Sequence, residues 1–219
     1  GDPNEDKFVK DFNIILNDDS VKIVVETMGG LHPAFEFVSS LLKAGKSVVT
    51  SNKELVAQKG YELLTLADEN NVNFLFEASV GGGIPIIRPL VSSITSDAVT
   101  EITGILNGTT NYMLTKMSED GLDYDAVLED AQERGYAERN PAADVEGHDA
   151  RRKIAILSSL AFGKYVDYED VYTEGITKIT SADFAYAKVL GSRIKLFGTS
   201  KKKEDGSISA MVCPVMITN

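Results

Sequence analysis

Asp149 and Lys153 are the two side chains whose types and spacing most directly suggest chemistry. They lie four residues apart, so on a helix they share one face in the favourable order of acid before base. Lys153 also precedes Ile156 and Leu157 on an apolar stripe, where a lysine is costly unless it is paired. Such a lysine can act as a proton donor or acceptor. The alternative is a structural ion pair that caps a core helix, and the spacing alone favours that alternative.

Three further polar residues precede this pair. Glu138 follows a predicted helix, and a carboxylate there that faces Lys153 could hold a substrate ammonium group, the alternative being a solvated loop acid. Asp144 either caps the following helix or joins the cluster of acids. His148 lies in a loop without a clear partner, so we do not expect it to act as a base.

Two groups at predicted strand ends are candidates for binding a cofactor or an ion. Lys53 follows a short strand, where open α/β sheets bind ligands, although a surface lysine in the first turn of a helix is the alternative. Glu77 precedes a glycine cluster at 81–83, and one carboxylate with backbone carbonyls could form an oxygen cage for a hard cation. The alternative there is a tight turn with a buried acid. The two histidines and the single cysteine lie far apart, which argues against zinc.

Alternating strands and helices must position these groups in the first half of the chain. After an amphipathic helix around 5–16, hydrophobic patterning predicts a strand at 21–26, a helix at 33–44, a strand at 47–50, a helix at 53–69 and a strand at 73–78. This order predicts a doubly wound, Rossmann-like parallel sheet with covered faces. The turns after its strands, including Gly29, are suited to close approach of a ligand to the backbone.

The second half has a different rhythm, with strands and helices in blocks. It contains predicted helices at 83–94, 109–119, 123–134, 148–162 and 179–190, and predicted strands at 98–106, 193–199 and 207–217. The last two strands are expected to pair across the turn at 203–206. Such blocks predict an α+β domain with a mixed or antiparallel sheet. The whole chain is therefore α/β plus α+β, with a partial dinucleotide-binding domain at 1–85 and a second domain at 86–219.

Composition excludes several classes of protein. The net charge of −11 argues against a general nucleic-acid binder, which would present a basic face. No apolar run is long enough to span a bilayer, so no membrane partner is expected. A single cysteine, Cys213, excludes an internal disulfide and suits a reducing compartment, from which we expect a cytoplasmic protein.

The glycine-rich phosphate turn of dinucleotide-binding folds is missing from this sequence. Such folds begin with a strand and a GxGxxG turn, whose backbone amides hold the pyrophosphate. The cluster at 81–83 follows the third predicted strand and lacks that spacing. We therefore expect either a fragment without the opening half of the fold or a protein that never had that half.

Five stretches of the sequence resemble homoserine dehydrogenase. They are 24–34, 48–53, 76–90, 104–117 and 135–157, and the last three are specific to that family. The resemblance extends from about residue 20 to 217 and implies interconversion of L-homoserine and L-aspartate 4-semialdehyde with NAD(P). The family's C-terminal glycine-rich segment, like its N-terminal phosphate turn, has no counterpart here.

The resemblance assigns roles on the substrate side. Lys153 resembles the catalytic lysine that gives or takes the hydroxyl proton, and Asp149 resembles the acid that acts beside it. Glu138 resembles the residue that binds the substrate, through its amino group, and Asp144 is expected to contribute to the same binding site.

The resemblance also implies a cofactor site and an ion site. Lys53 resembles the lysine at the nicotinamide end, while Gly29 and Gly135 are expected to approach the cofactor. Glu77, with the backbone carbonyls of three neighbours, resembles the family's sodium site; these neighbours are Val80, Gly82 and Ile84.

The resemblance implies a small-molecule substrate and a homodimer formed through the sheet of the second domain. Two alternatives stand beside this assignment. One is a non-catalytic truncated homologue that folds and dimerises without binding nucleotide. The other is a semialdehyde dehydrogenase, for which the required nucleophilic cysteine would have to be Cys213, late in a predicted strand and poorly placed. The preference between NAD and NADP, and any fused kinase or regulatory domain, are left open.

Overall fold

A computed structural model of the chain describes residues 4–94 and 96–218. The described part leaves out residues 1–3, Thr95 and Asn219. The start of the predicted domain at 1–85 and the end of the predicted domain at 86–219 therefore lie outside it. The chain divides into two compact units, Gly1–Ile86 and Ile87–Asn219. Among the helices of the described residues, none combines the length and hydrophobicity that a membrane span requires.

The first unit contains a three-stranded parallel sheet in the order β1-β2-β3. Its elements are α1 (Phe12–Leu16), β1 (Ile23–Glu26), α2 (Ala34–Lys43), β2 (Ser47–Thr50), α3 (Lys53–Glu69), β3 (Phe74–Leu75) and α4 (Ala78–Gly81). The pairing of β1 with β2 runs from Ile23↔Ser47 to Glu26↔Thr50. The predicted alternation of strands and helices and the parallel sheet are both confirmed.

Two elements of the first unit differ from prediction. The helix expected around 5–16 is broken, since a 3-10 turn at Glu5–Lys7 is followed by α1, which Asp11 caps by accepting the Asn13 N–H at 2.9 Å. The strand expected at 73–78 stops at Leu75. There the Phe76 carbonyl accepts the Ser79 N–H at 3.0 Å and turns the chain into α4.

One face of this sheet is open, whereas the sequence predicted covered faces. Val48 and Phe74 are buried on the side that carries α2 and α3. On the opposite side Ile23 and Val25 of β1 are each 64% exposed, and Leu75 of β3 is exposed as well. Within the described residues, that apolar face has no covering helix. The sequence reads these side chains as buried because strand periodicity cannot tell which face receives a partner layer.

The second unit is built on a mixed four-stranded sheet in the order β4-β6-β7-β5. Its elements are α5 (Ile87–Ser92), β4 (Glu101–Gly104), α6 (Gly108–Asp120), α7 (Tyr124–Glu133), α8 (Ala142–Val145), α9 (His148–Phe162), β5 (Tyr172–Thr173), α10 (Ser181–Val189), β6 (Ser192–Lys202) and β7 (Ile208–Thr218). The predicted hairpin is confirmed: β6 and β7 are antiparallel from Ser192↔Thr218 to Lys202↔Ile208. β5 joins β7 in parallel, so the sheet is mixed, as expected.

The sequence missed α8 and β5 and made β4 too long. The last β4–β6 pair is Gly104↔Gly198, although the prediction continued the strand to 106. Leu106 instead packs over Gly198, where an added methyl group would come 2.7 Å from Leu106 Cδ1. α9 lies against this part of the sheet with Ile154, which is fully buried. The chain therefore leaves the sheet after Gly104 and enters α6 at Gly108.

Candidate active site

Asn107 joins two carboxylates that lie far apart in the sequence. Its Nδ2 donates to Asp144 Oδ1 at 2.7 Å and to Asp149 Oδ2 at 2.9 Å. Its Oδ1 accepts the Thr110 N–H at 2.8 Å, so the same side chain caps the N-terminus of α6. Both ends of the amide are used, which leaves the side chain a single orientation. We call Asn107, Asp144, Asp149 and Lys153 the Asn107 cluster.

Lys153 completes this cluster on the buried side. Its Nζ lies 2.7 Å from Asp149 Oδ2 and donates to the Leu106 carbonyl at 3.0 Å. The side chain of Asp149 is 5% exposed and that of Lys153 is 14% exposed. A pair so well removed from water depends on additional hydrogen bonds for its stability, and the Asn107 amide and the Leu106 carbonyl provide them. The predicted pairing of Asp149 with Lys153 on one helix face is confirmed.

Helix α9 places the pair through a tight turn. Asp149 occupies the first turn of α9, where the helix dipole favours an acid. The turn before it contains Gly147, with φ +83°, and a methyl group there would come 3.1 Å from Thr173 Cγ2 and 3.2 Å from Val212 Cγ1. This glycine lets the chain reverse between α8 and α9, so that Asp144 and Asp149 can reach the same amide.

Glu138 lies on the loop between α7 and α8, outside the hydrogen-bonded cluster. Its carbonyl accepts from Gln132 Nε2 at 2.9 Å, and the residue is exposed. No hydrogen bond connects its carboxylate to the Asn107 cluster within residues 4–94 and 96–218. The loop is held nearby, because the Thr109 hydroxyl donates to the Tyr136 carbonyl at 2.7 Å. The structure thus brings together three of the four predicted substrate-side residues, and the role of Glu138 stays a prediction.

Gly135 has a structural role that the sequence interpretation did not consider. It follows α7 with φ +76°, and its N–H donates to the Gln132 carbonyl at 3.0 Å. The next N–H, from Tyr136, donates to the Ala131 carbonyl at 2.8 Å. These two bonds form a Schellman motif, which ends helices at a left-handed glycine. The motif explains this glycine, and its approach to a cofactor stays a prediction.

In the first unit, the ends of β1 and β2 are linked by hydrogen bonds. Thr50 Oγ1 donates to Glu26 Oε2 at 2.5 Å, and Glu26 Oε1 accepts the Met28 N–H at 2.6 Å. Asn52 Nδ2 donates to the Gly30 carbonyl at 2.6 Å, while Asn52 also caps α3, whose first residue is Lys53. The buried side chains Glu26, Thr50 and Asn52 were not among the predicted site residues.

Gly29 and Gly30 leave the backbone open at this edge of the sheet. They have φ +77° and +73°, and a methyl group on either would meet nothing within 4 Å. Ligands of parallel sheets bind at the carboxyl ends of the strands, which is where these glycines and Lys53 lie. Gly29 and Lys53 therefore lie at the edge of the sheet that the sequence predicted, and their contacts with a cofactor stay a prediction.

Glu77 closes the loop that contains the glycine cluster. Its Oε1 accepts the Ile86 N–H at 2.6 Å, and the Ile84 N–H donates to the Gly81 carbonyl at 3.0 Å. Gly82 follows α4 with φ +59°, and Val80 is buried within that helix. This geometry is that of a tight turn closed by a half-buried acid, whereas the alternative given by the sequence had a buried acid, and the ion site stays a prediction. In the described part of the chain, no group of three or more His, Cys, Asp or Glu could hold a metal.

Asn107 is the principal site residue that the sequence interpretation missed. A signal for it exists, because asparagine is a preferred N-cap and Asn107 lies two residues before the helix predicted at 109–119. That signal predicts the cap alone. The bonds to Asp144 and Asp149 span 37 and 42 residues, and local patterning contains no information about them.

Comparison with known proteins supplies the family. A model described as homoserine dehydrogenase matches residues 85–219, and a model of the NAD-binding domain of homoserine dehydrogenase matches residues 3–77. The chain belongs to the homoserine dehydrogenase family. The matches extend over both units, and the parallel and mixed sheets agree with the two domains of that family.

Individual homoserine dehydrogenases show how much of the family's length is present. The enzyme of Mycobacterium tuberculosis is 46% identical over 211 residues, which are 94% of this chain and 48% of that protein. The crystal structure from Thiobacillus denitrificans has a TM-score of 0.92 at 43% identity, with 96% of this chain and 48% of that chain covered. A hyperthermophilic archaeal homoserine dehydrogenase in complex with NADPH has a TM-score of 0.82 at 30% identity, with 97% and 61% covered. The chain spans about half the length of the curated relatives that it matches.

Proposed function

We propose that this chain carries the substrate side of a homoserine dehydrogenase, which interconverts L-homoserine and L-aspartate 4-semialdehyde with NAD(P). The observation that supports this most directly is the Asn107 cluster, in which a largely buried lysine meets a buried carboxylate that is itself held by an amide. Membership of the family gives that cluster its substrate. This substrate, this reaction and these partners are proposed for the full-length protein.

Lys153 is the proposed acid and base. In the reducing direction its ammonium group donates a proton to the aldehyde oxygen as the C=O bond becomes a single bond. In the oxidising direction the neutral amine accepts the proton of the substrate hydroxyl. Asp149, 2.7 Å away, pairs with the Lys153 ammonium group and fixes the direction of Nζ. The bound nucleotide supplies or accepts the hydride at the substrate carbon.

Asp144 and Glu138 are the proposed ligands of the substrate amino group. Asp144 is half-buried. A carboxylate only accepts hydrogen bonds, so its remaining lone pairs suit the N–H donors of an ammonium group. Glu138 is exposed on the neighbouring loop and would add a second negative charge. Together they would select a substrate with a free amino group.

The first unit fits the nicotinamide end of the cofactor. The open backbone at Gly29 and Gly30 permits close approach, and Lys53 begins α3 beside it. The archaeal relative in complex with NADPH supports NADP as the nucleotide. Gly135 is the proposed cofactor contact of the second unit. The pyrophosphate would need a glycine-rich turn that this sequence does not contain.

We also propose a sodium ion at Glu77 and a homodimer. A single carboxylate with the carbonyls of Val80, Gly82 and Ile84 suits a hard monovalent cation. To bind the ion, Glu77 Oε1 would have to release the Ile86 N–H that it now accepts. Apolar side chains exposed on the edge of the mixed sheet, with Tyr172 and Met211 adjacent in the β5–β7 register, support association through that sheet.

Turnover of L-homoserine tests the proposed reaction. Changing Lys153 to Ala in the full-length protein should lower kcat by about 10²–10⁴-fold, the usual contribution of a positioned acid or base, with a much smaller change in KM. Lys164→Ala, just after the same helix, is the matched control and should retain activity. Turnover equal to the unchanged protein in Lys153→Ala would remove Lys153 from the mechanism.

Titration of NADP into this chain tests the competing proposal. The competing proposal is a folded module that binds no nucleotide, and such a module would give no heat of binding. Saturable binding that Lys53→Ala weakens would support the nicotinamide site and rule out the non-binding module.

A further inference from the structure

A polar pocket lies away from the Asn107 cluster, between α6, α10 and the start of β6. It has a volume of about 260 Å³. Its apolar lining consists of Leu114, Phe184 and Ile194, and hydroxyl groups line it at Thr115, Ser118 and Ser192. β4 pairs with β6 only as far as Gly198, so the part of β6 that lines the pocket has no β4 residue paired beside it.

Lys195 projects a cation into this pocket without a carboxylate partner. Its Nζ donates to Asn111 Oδ1 at 2.8 Å and to Thr115 Oγ1 at 2.6 Å, and both acceptors are neutral. Among the residues that the structure describes, no acidic oxygen lies within salt-bridge distance of it. Burial and the charge of Arg193 lower the pKa of Lys195, and Glu119 opposes them by favouring the charged form. The ammonium group is thus held in place by neutral contacts and lacks a close counter-ion.

Two more cations stand at the rim. Arg193 and Lys188 both line the pocket and are exposed. Within residues 4–94 and 96–218, neither side chain forms an ion pair. The acid in the lining is Glu119, which is also exposed. Three cations against one acid give the pocket an excess of positive charge, although the chain as a whole carries a net charge of −11.

We infer that this pocket binds the oxyanion of a small organic molecule, a phosphate or a carboxylate. Arg193 supplies a planar fork of donors that matches either oxyanion, and Lys195 supplies a point charge already held at the pocket wall. The hydroxyl of Ser118 adds a neutral donor, whereas the Thr115 hydroxyl already donates to the Asn111 carbonyl at 2.7 Å and serves to hold Lys195. The apolar lining and a volume larger than an inorganic ion needs indicate that the oxyanion belongs to a molecule with a short apolar part.

The pocket is separate from the proposed substrate site but shares α6 with it. Asn107 caps the N-terminus of α6, while Thr115 and Ser118 lie in its C-terminal half. Eight residues of helix separate Asn107 from Thr115, or roughly 12 Å at the usual rise. None of the residues that line the pocket belongs to the Asn107 cluster, so the inference goes beyond the proposed function and does not depend on it.

Calorimetric titration of this chain with inorganic phosphate, and separately with acetate, tests the inference at constant ionic strength set with sodium chloride. Saturable binding of either anion supports it, and the better anion identifies the oxyanion class. Arg193→Gln and Lys195→Met should each weaken binding by about tenfold, the usual value of a charge-assisted hydrogen bond. Lys201→Gln is the control, since Lys201 lies on the same strand and pairs with Glu101 at the surface.

Three results would overturn the inference. They are the absence of saturable binding, equal affinity in Arg193→Gln and the unchanged chain, and an equal loss in Lys201→Gln, which would indicate general screening. Arg193→Gln carries the test if Lys195→Met fails to fold, because the exposed Arg193 side chain makes no ion pair within the described residues. The failure of this pocket would leave the Lys153 test unaffected, so the two proposals can be judged apart.

Discussion

The side-chain amide of Asn107 has two roles, one that needs a hydrogen-bond acceptor and one that needs hydrogen-bond donors. The oxygen caps α6, and the nitrogen holds Asp144 and Asp149. An aspartate at this position would cap as well, but it would bring a third carboxylate against two others. A serine would cap but could not donate to both acids. Asparagine meets both demands because its amide carries an acceptor and two donors.

Asn107→Ser therefore separates positioning from helix capping. We expect the cap of α6 to survive, because serine and asparagine cap about equally well, and the free energy of unfolding to fall by about 1–3 kcal/mol, because serine cannot replace both hydrogen bonds to Asp144 and Asp149. In the full-length protein, under the proposed reaction, we expect kcat for L-homoserine to fall by about 100-fold, the effect of displacing a catalytic group by about 1 Å. Steady-state kinetics and a urea-unfolding curve of the same protein provide the two measurements. Loss of stability without a greater loss of kcat would reduce Asn107 to a cap.

Asp130 links α6 to α7, and we expect this link to weaken in acid. Its carboxylate accepts hydrogen bonds from the Tyr112 hydroxyl and, at 2.8 Å, from Arg134 Nε. These bonds lower the pKa of Asp130 and raise the pKa of Tyr112. Because the pKa is lower in the folded chain, the stabilisation is fully present above the ordinary aspartate value of about 3.9 and is lost as pH falls through the lowered pKa.

Asp130→Asn should remove that dependence. At about pH 6 the variant should unfold at a lower urea concentration than the unchanged chain, and the difference should shrink at about pH 3. Urea midpoints at the two pH values provide the measurement. Glu129→Gln, on the same helix, is the control and should keep the pH dependence of the unchanged chain. A constant difference at both pH values would contradict the assigned linkage.

At the scale of elements, the packing of α8, α9 and β5 against one another depends on two glycines. Gly147 permits the turn into α9, and Gly175 lets the segment after β5 lie directly against the end of α8. The Ile176 N–H donates to the Val145 carbonyl at 2.8 Å in this contact. A methyl group on Gly175 would lie 2.1 Å from that same carbonyl oxygen, closer than any real contact.

Gly175→Ala should therefore displace α8 from β5. We expect the free energy of unfolding to fall by about 1–3 kcal/mol or more, as overpacking of a close contact usually costs. Denaturant unfolding provides the measurement. Gly108→Ala is the control, since a methyl group there meets nothing within 4 Å. Equal stability of the two variants would show that the contact yields easily.

The two units leave apolar surface exposed in different places. In the first unit it lies on one face of the parallel sheet, at Ile23 and Val25. In the second unit Tyr172 and Met211 are adjacent on neighbouring strands and are 61% and 41% exposed. Because β5 is an edge strand with unpaired backbone on its outer side, the second surface suits a symmetric partner.

At the scale of the whole molecule, Tyr172→Glu tests the proposed dimer. We expect light scattering coupled to gel filtration to give a dimer mass for the unchanged chain and a monomer mass for the variant, because a charge would have to be buried at the interface. Tyr61→Glu is the control, since Tyr61 is similarly exposed but lies on α3 of the first unit. Equal masses for both variants would place the interface elsewhere.

The sequence by itself determined the elements and one half of the candidate site. α3, the β6–β7 hairpin and the three long helices of the second unit follow from local periodicity and turn residues, which act over a few positions. The Asp149–Lys153 pair is of this kind, because four residues on a helix suffice to bring both side chains together. Helix α8 and strand β5 are too short to produce such a pattern.

Only the tertiary structure decided what surrounds that pair and which surfaces stay open. Lys153 meets the Leu106 carbonyl across 47 residues, and Asn107 meets Asp149 across 42. Such contacts depend on how β4, α6 and α9 pack, and periodicity within each element is the same whatever it packs against. For the same reason the exposed face of β1 has the apolar pattern of a buried strand: burial is a property of the partner layer, which no single strand encodes.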